Sequence, residues 1–156
     1  MEAILAEVDR LFGLEAEAEV TLEANPGTLS LDILSGFRAA GINRLSLGLQ
    51  SLQDDKLKTL GRLHTAAEGR QAVGWARRAG FDNLSCDLMF GLPAQSLPHL
   101  MADVEAVLSL QPEHLSCYGL TVEEGTPFEE RQRQALLHPA AEDLATEMYV
   151  ALHERL

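Results

Sequence analysis

Three short segments of this 156-residue chain share one signature: Leu45-Ser46-Leu47, Leu84-Ser85-Cys86 and Leu115-Ser116-Cys117, spaced 39 and 31 residues apart. Each lies in an apolar run of strand length, and helical patterns fill the gaps between them. Strands alternating with helices imply parallel pairing with right-handed crossovers, which leaves a barrel or a doubly wound sheet.

The remaining elements fit this plan. Met1 to Phe12 carries Ile4, Leu5, Val8, Leu11 and Phe12 at helical spacing with acidic residues opposite, which predicts an amphipathic helix. Glu17 to Glu23 reads as a first strand closed by the Ala24-Asn25-Pro26-Gly27 turn. Helices are expected over Leu31 to Ala40 with Gly41 as the stop, around Leu57 and Leu60, from Thr65 to about Ala79, over Ser96 to Leu110, and from Ala141 to the end. Thr65 with Glu68, and Thr126 with Glu129, are spaced as capping boxes. The other strands are Asn43 to Gln50, Asn83 to Phe90 and His114 to Leu120.

Side chains of a strand alternate between its faces, so parity sorts them. Thr21 and Glu23, then Ser46, Gly48 and Gln50, then Ser85 and Asp87, then Ser116 and Tyr118 form one small or polar set. Val20 and Leu22, then Leu45, Leu47 and Leu49, then Leu84, Cys86 and Leu88, then Leu115 and Cys117 form the apolar set that helices require. An open α/β sheet covered on both faces would be apolar on both. The expected fold class is therefore α/β, a partial (βα) TIM-like barrel whose lumen carries the polar set, with the three serines on its concave face. Such barrels build sites at C-terminal strand ends, where Glu23, Gln50 and Asp87 stand. Asp87 is costly to bury unpartnered. It is either a ligand group in a wet cavity or one half of an ion pair with an arginine such as Arg62.

Charge narrows the partners. Twelve Lys and Arg against 24 Asp and Glu leave a net charge of −12, which argues against a broad nucleic-acid or anionic-membrane surface. No apolar run reaches membrane-span length and no signal peptide is evident, so a cytoplasmic location is expected. Cys86 and Cys117 alone make neither a disulfide framework nor a metal-ligand cluster, and parity turns both toward the helices.

The tracts Glu23-Ala-Asn-Pro-Gly-Thr28, Asn43-Arg-Leu-Ser-Leu-Gly-Leu-Gln-Ser51, Leu60-Gly-Arg-Leu-His64, Asp87-Leu-Met-Phe-Gly-Leu-Pro93, His114-Leu-Ser-Cys-Tyr-Gly-Leu-Thr121 and Glu124-Gly-Thr-Pro-Phe128 closely resemble the radical S-adenosylmethionine proteins of the HemW and oxygen-independent coproporphyrinogen III oxidase family. The resemblance spans nearly the whole chain, and the tracts around Glu23 and His64 are nearer the HemW heme-chaperone branch. It implies a partial (βα)6 barrel, with these strands as the family's third to sixth. It also implies that Glu23, Gln50, Arg62 and Asp87 contact S-adenosylmethionine and that Thr121 lies near it through its backbone. The family's CxxxCxxC loop, which binds a [4Fe-4S] cluster, has no counterpart here. The expectation is thus one domain, residues 1–156, truncated at both ends and unable by itself to hold the cluster.

By the same resemblance the function is S-adenosylmethionine binding in a protein that handles heme and passes it to an acceptor protein. Oxidative decarboxylation of coproporphyrinogen III is the enzymatic alternative, and a degenerate barrel used for protein contacts is another. His64 reads as a loop or helix-start residue rather than a heme ligand, Tyr118 as lumen wall or core, and Glu123 and Glu124 as solvated loop charges.

Overall fold

In the computed structural model, which describes residues 1–156, four parallel strands pair in chain order: β1 (Thr21–Ala24), β2 (Arg44–Gln50), β3 (Leu84–Phe90) and β4 (His114–Gly119). The helices are α1 (Glu2–Phe12), α2 (Leu31–Ala39), α3 (Asp54–Thr59), α4 (Ala66–Arg78), α5 (Leu97–Leu108), α6 (Pro127–Arg133) and α7 (Glu142–Arg155), with a 3-10 turn at Pro26–Thr28.

The apolar parity set is the core. Leu45, Leu47, Leu49, Leu84 and Cys86 are 0% exposed and pack with Leu34, Val73, Ala76, Leu100, Val104 and Met148 from the helices and with Phe81 from the loop after α4. Burying each such leucine side chain contributes about 1.5–3 kcal/mol, so this face alone accounts for the helix side of the sheet. The helices stop where Gly41 and Gly80 take φ of 101° and 89°. The next residue's amide then reaches back, Ile42 N–H to the Phe37 carbonyl and Phe81 N–H to the Ala76 carbonyl, both at 3.1 Å.

β1 begins four residues later than the Glu17 start expected from pattern. The Asn43 side chain explains this: its Oδ1 accepts from Val20 N at 2.8 Å and its Nδ2 donates to the Ala18 carbonyl at 2.8 Å, so upstream of Thr21 side-chain bonds stand beside the backbone bonds that the Val20 carbonyl accepts from Asn43 N and Arg44 N. The Thr65–Glu68 capping box forms in full. At Thr126 only half forms, because the Glu129 carboxylate accepts from the Gly125 amide instead of the N-cap amide. A further capping box, Ser96 with His99, starts α5. The amphipathic α1 buries no residue: Leu5 touches the core, whereas Ile4, Leu11 and Phe12 are 62%, 55% and 80% exposed.

Candidate functional site

The polar parity set lines up across the sheet. Register places Glu23 beside Ser46, Ser46 beside Ser85, and Asp87 beside Ser116. Ser46 Oγ donates to Asp87 Oδ1 at 3.0 Å, and the Ser85 and Ser116 hydroxyls lie 3.4 Å apart. The serines are thus on the sheet face opposite the helices, as parity predicts.

Beyond them, toward the C-terminal strand ends, opens a cavity of about 300 Å³ lined by Glu23, Asn25, Gly48, Gln50, Arg62, Asp87 and Tyr118, with Ser46 in its floor; Asp87, expected at a strand end, enters it from the middle of β3, which runs on through Phe90. That is the lower end of the range for small-molecule sites, about 300–1,000 Å³. Gln50 is 2% exposed, and its Oε1 accepts from the Tyr118 hydroxyl at 2.9 Å. With Oε1 so engaged, Nε2 is left as a donor. Room for it comes from Gly48, where a Cβ would lie 3.0 Å from Gln50 Nε2 and 3.4 Å from Asn25 Oδ1. Arg62 Nη1 donates to Asn25 Oδ1 at 2.8 Å.

Arg62 therefore binds Asn25, not Asp87, and the chain's ion pairs all lie elsewhere. The ion-pair reading of Asp87 falls. A neutral hydroxyl partner and half-burial leave its carboxylate facing the cavity. Burial pushes the Asp87 pKa up, its serine hydrogen bonds pull it down, and the Glu23 charge pushes it up further. Glu23 and Asp87 make the cavity acidic, with the Arg62 guanidinium on its rim.

Four of the five residues singled out from sequence, Glu23, Gln50, Arg62 and Asp87, share this cavity. Thr121 does not: it borders an adjoining hollow of about 270 Å³ with Leu60, Met89, Leu120 and Phe128, which Arg62 also borders. Sequence reasoning gave no role to Asn25, although it stands at the end of β1 where the strand-end rule applies. Also missed was Asp103, whose signal was a carboxylate on the Leu100, Val104, Val107 stripe of α5; all four are buried. His64 is a buried loop residue, 5% exposed, with Nε2 3.3 Å from the Leu49 carbonyl. Burial holds its pKa below the usual value, and the imidazole is neutral near pH 7.

The cysteines do not suit iron. Cys86 is in the core with its thiol pushed up to about 12 by burial and the Asp87 charge. Cys117, pushed up to about 11 mainly by burial, faces Tyr149 and Leu152 of α7. No group of three His, Cys, Asp or Glu side chains converges. The residues of this chain do not fit a [4Fe-4S] cluster, which takes thiolates as ligands. Tyr118, left between lumen wall and core, is lumen wall.

The sequence model of the radical SAM superfamily matches residues 1–107. The chain belongs to the radical SAM superfamily. Among its superfamily relatives, the heme chaperone HemW of Haemophilus influenzae is 44% identical over 125 residues, which is 80% of this chain and 33% of the relative. HemW of Escherichia coli is 43% identical over 84% of this chain and 35% of its own length. The mitochondrial radical S-adenosyl methionine domain-containing protein 1 of Bos taurus is 42% identical over 94% and 33%. This radical SAM chain thus spans about a third of the length of the curated relatives it matches. Its fold matches the radical SAM enzyme coproporphyrinogen III oxidase, HemN, from Escherichia coli with a TM-score of 0.78, at 25% identity, over 97% of this chain and 36% of that one. The archaeal Elp3 of Methanocaldococcus infernus gives 0.76 at 24% identity, over 84% and 31%. No helix is long and apolar enough to cross a membrane.

Proposed function

We propose that the strand-end cavity binds S-adenosylmethionine and that the chain is the core of a HemW-type protein that handles heme. The observation that carries this reading is the convergence of Glu23 and Gln50, from the ends of β1 and β2, and Asp87, from the middle of β3, with Arg62 on one cavity. The donor set fits the cofactor. The two carboxylates accept from an ammonium or from ribose hydroxyls, Gln50 Nε2 donates, and Arg62 can fork a carboxylate. Bound S-adenosylmethionine supplies a sulfonium-activated adenosyl group. An acidic cavity favours its positive charge. Thr121, in the adjoining hollow, extends the contact surface past Arg62.

The similarity to the heme chaperone HemW at 43–44% identity supports heme as cargo, and a heme-accepting protein as partner and a cytoplasmic setting are proposed with it. A second reading, coproporphyrinogen III oxidation, draws support from the HemN fold match, but the 25% identity there is well below that to HemW. The cysteines of this chain give neither reading a cluster.

The test is a ¹⁵N-resolved NMR titration of the 156-residue chain with S-adenosylmethionine, which detects even millimolar binding. Shifts centred on Gly48, Gln50, the Arg62 guanidinium and Asp87 are expected. A flat spectrum, or shifts confined to another face, would remove the cofactor from the cavity. Hemin titration of the same chain, read by its Soret band, tests the heme reading separately.

A further inference from the structure

Gln50 has a φ of +65°, in the left-handed region that a residue with a Cβ occupies at a cost. The Ser51 amide donates to the Leu49 carbonyl at 2.8 Å, so Gln50 is the apex of a γ-turn of positive φ, a rare and strained conformation. Such a turn persists only where its surroundings hold it.

Three groups from outside β2 hold this one. Asp103, 2% exposed on α5, accepts from Ser51 Oγ through Oδ2 at 2.6 Å and from Leu52 N through Oδ1 at 3.0 Å. His64 Nε2 donates to the Leu49 carbonyl at 3.3 Å, and the Tyr118 hydroxyl donates to the Gln50 side chain at 2.9 Å. Asp103 has no cation partner, and an unpaired buried carboxylate is expensive in a stripe where a leucine would pack without penalty. Both its oxygens are spent on the two residues that follow Gln50.

We propose that Asp103, which lies outside the cavity, is a positioning residue for it. By fixing Ser51 and Leu52 it keeps Gln50 at the apex of the turn, with the amide seated over Gly48 and Nε2 turned to the ligand. The proposal rests on the S-adenosylmethionine reading for its ligand, but the turn itself can be tested without one.

The experiment uses Asp103→Asn and Ser51→Ala in the full chain. Three readouts are taken: the Gln50 Cα, Cβ and side-chain amide resonances, the S-adenosylmethionine dissociation constant, and the denaturation midpoint. Expected for Asp103→Asn are displaced Gln50 resonances and a dissociation constant raised about tenfold or more in the folded protein. Ser51→Ala, which removes the 2.6 Å bond to Asp103 together with the 3.1 Å bond that Ser51 Oγ accepts from the Gln53 amide but leaves the Asp103–Leu52 bond, moves both the same way by less and decides the matter if Asp103→Asn does not fold. A lowered midpoint with unchanged Gln50 resonances and unchanged affinity would make Asp103 a structural staple and overturn the proposal. If the unaltered chain shows no response to S-adenosylmethionine, the cavity reading fails, while the Gln50 resonances of the variants still decide whether Asp103 holds the turn.

Discussion

The Ser46 hydroxyl donates to the Asp87 carboxylate at 3.0 Å across the β2–β3 pair, so the acidic group of the most apolar strand is held by a neutral donor from its neighbour. A neutral donor leaves the negative charge uncancelled at the cavity. Replacing Asp87 by Asn should weaken S-adenosylmethionine binding about 10- to 150-fold, the loss of one charge-assisted hydrogen bond. Calorimetry of the folded variant checks this, and unchanged affinity would take Asp87 out of the site.

The same residue sets a pH dependence. Burial raises the Asp87 carboxyl above its ordinary value of 3.8. A carboxyl raised in the folded state contributes stability in full below its unfolded pKa and loses it as pH rises through the folded pKa. The stability difference between Asp87→Asn and the unaltered chain should therefore shift toward the variant as pH climbs from about 4 to 7. Denaturant melts across that window measure it; a difference independent of pH would show that the buried charge costs nothing.

Gly48→Ala should disturb the site more than the fold. The new Cβ would meet Gln50 Nε2 at 3.0 Å, and that amide is the far end of a flexible side chain which can swing away. Stability should fall by no more than about 1 kcal/mol, while the Tyr118–Gln50 bond breaks and affinity drops. A crystal structure with Gln50 unmoved would refute this.

The strain at Gln50 has a stability signature. Gly occupies its φ of +65° without the Cβ penalty, so Gln50→Gly should be more stable than Gln50→Ala by about 1 kcal/mol. Urea melts of the two variants give the comparison; equal midpoints would argue that the turn relaxes in solution.

Neither thiol should act as a metal ligand or a ready nucleophile near neutral pH. With pKa values pushed up to about 12 and about 11, Cys86 and Cys117 stay protonated. Alkylation at pH 8 should leave Cys86 untouched until the chain unfolds, with Cys117, half-buried, the faster of the two. Anaerobic reconstitution should yield no [4Fe-4S] absorbance, and a stable cluster lost on Cys86→Ala would contradict the assignment of that cysteine to the core.

The sequence by itself determined the strands, their order of use and their two faces. Alternation along a strand is local, so the parity of Leu45 and Ser46 settles which of them meets the helices before any tertiary contact forms. It also placed Glu23 and Gln50 at strand ends, whereas Asp87, expected there too, stands in the middle of β3 because that strand runs on through Phe90. Tertiary structure decided what each of them touches. Arg62 could reach Asp87 or Asn25, and only the packing of the loop between α3 and α4 against the end of β1 selects Asn25. Asp103 lies 52 residues from Ser51, and no local rule connects the two. The positive φ of Gln50, in a stretch that reads as ordinary strand, arises because the β2–β3 register shifts between Leu47 and Gln50 and the turn that follows is held from α5. Even α1, whose pattern promised a buried face, stays largely exposed, because periodicity specifies which side of a helix is apolar but not what comes to cover it.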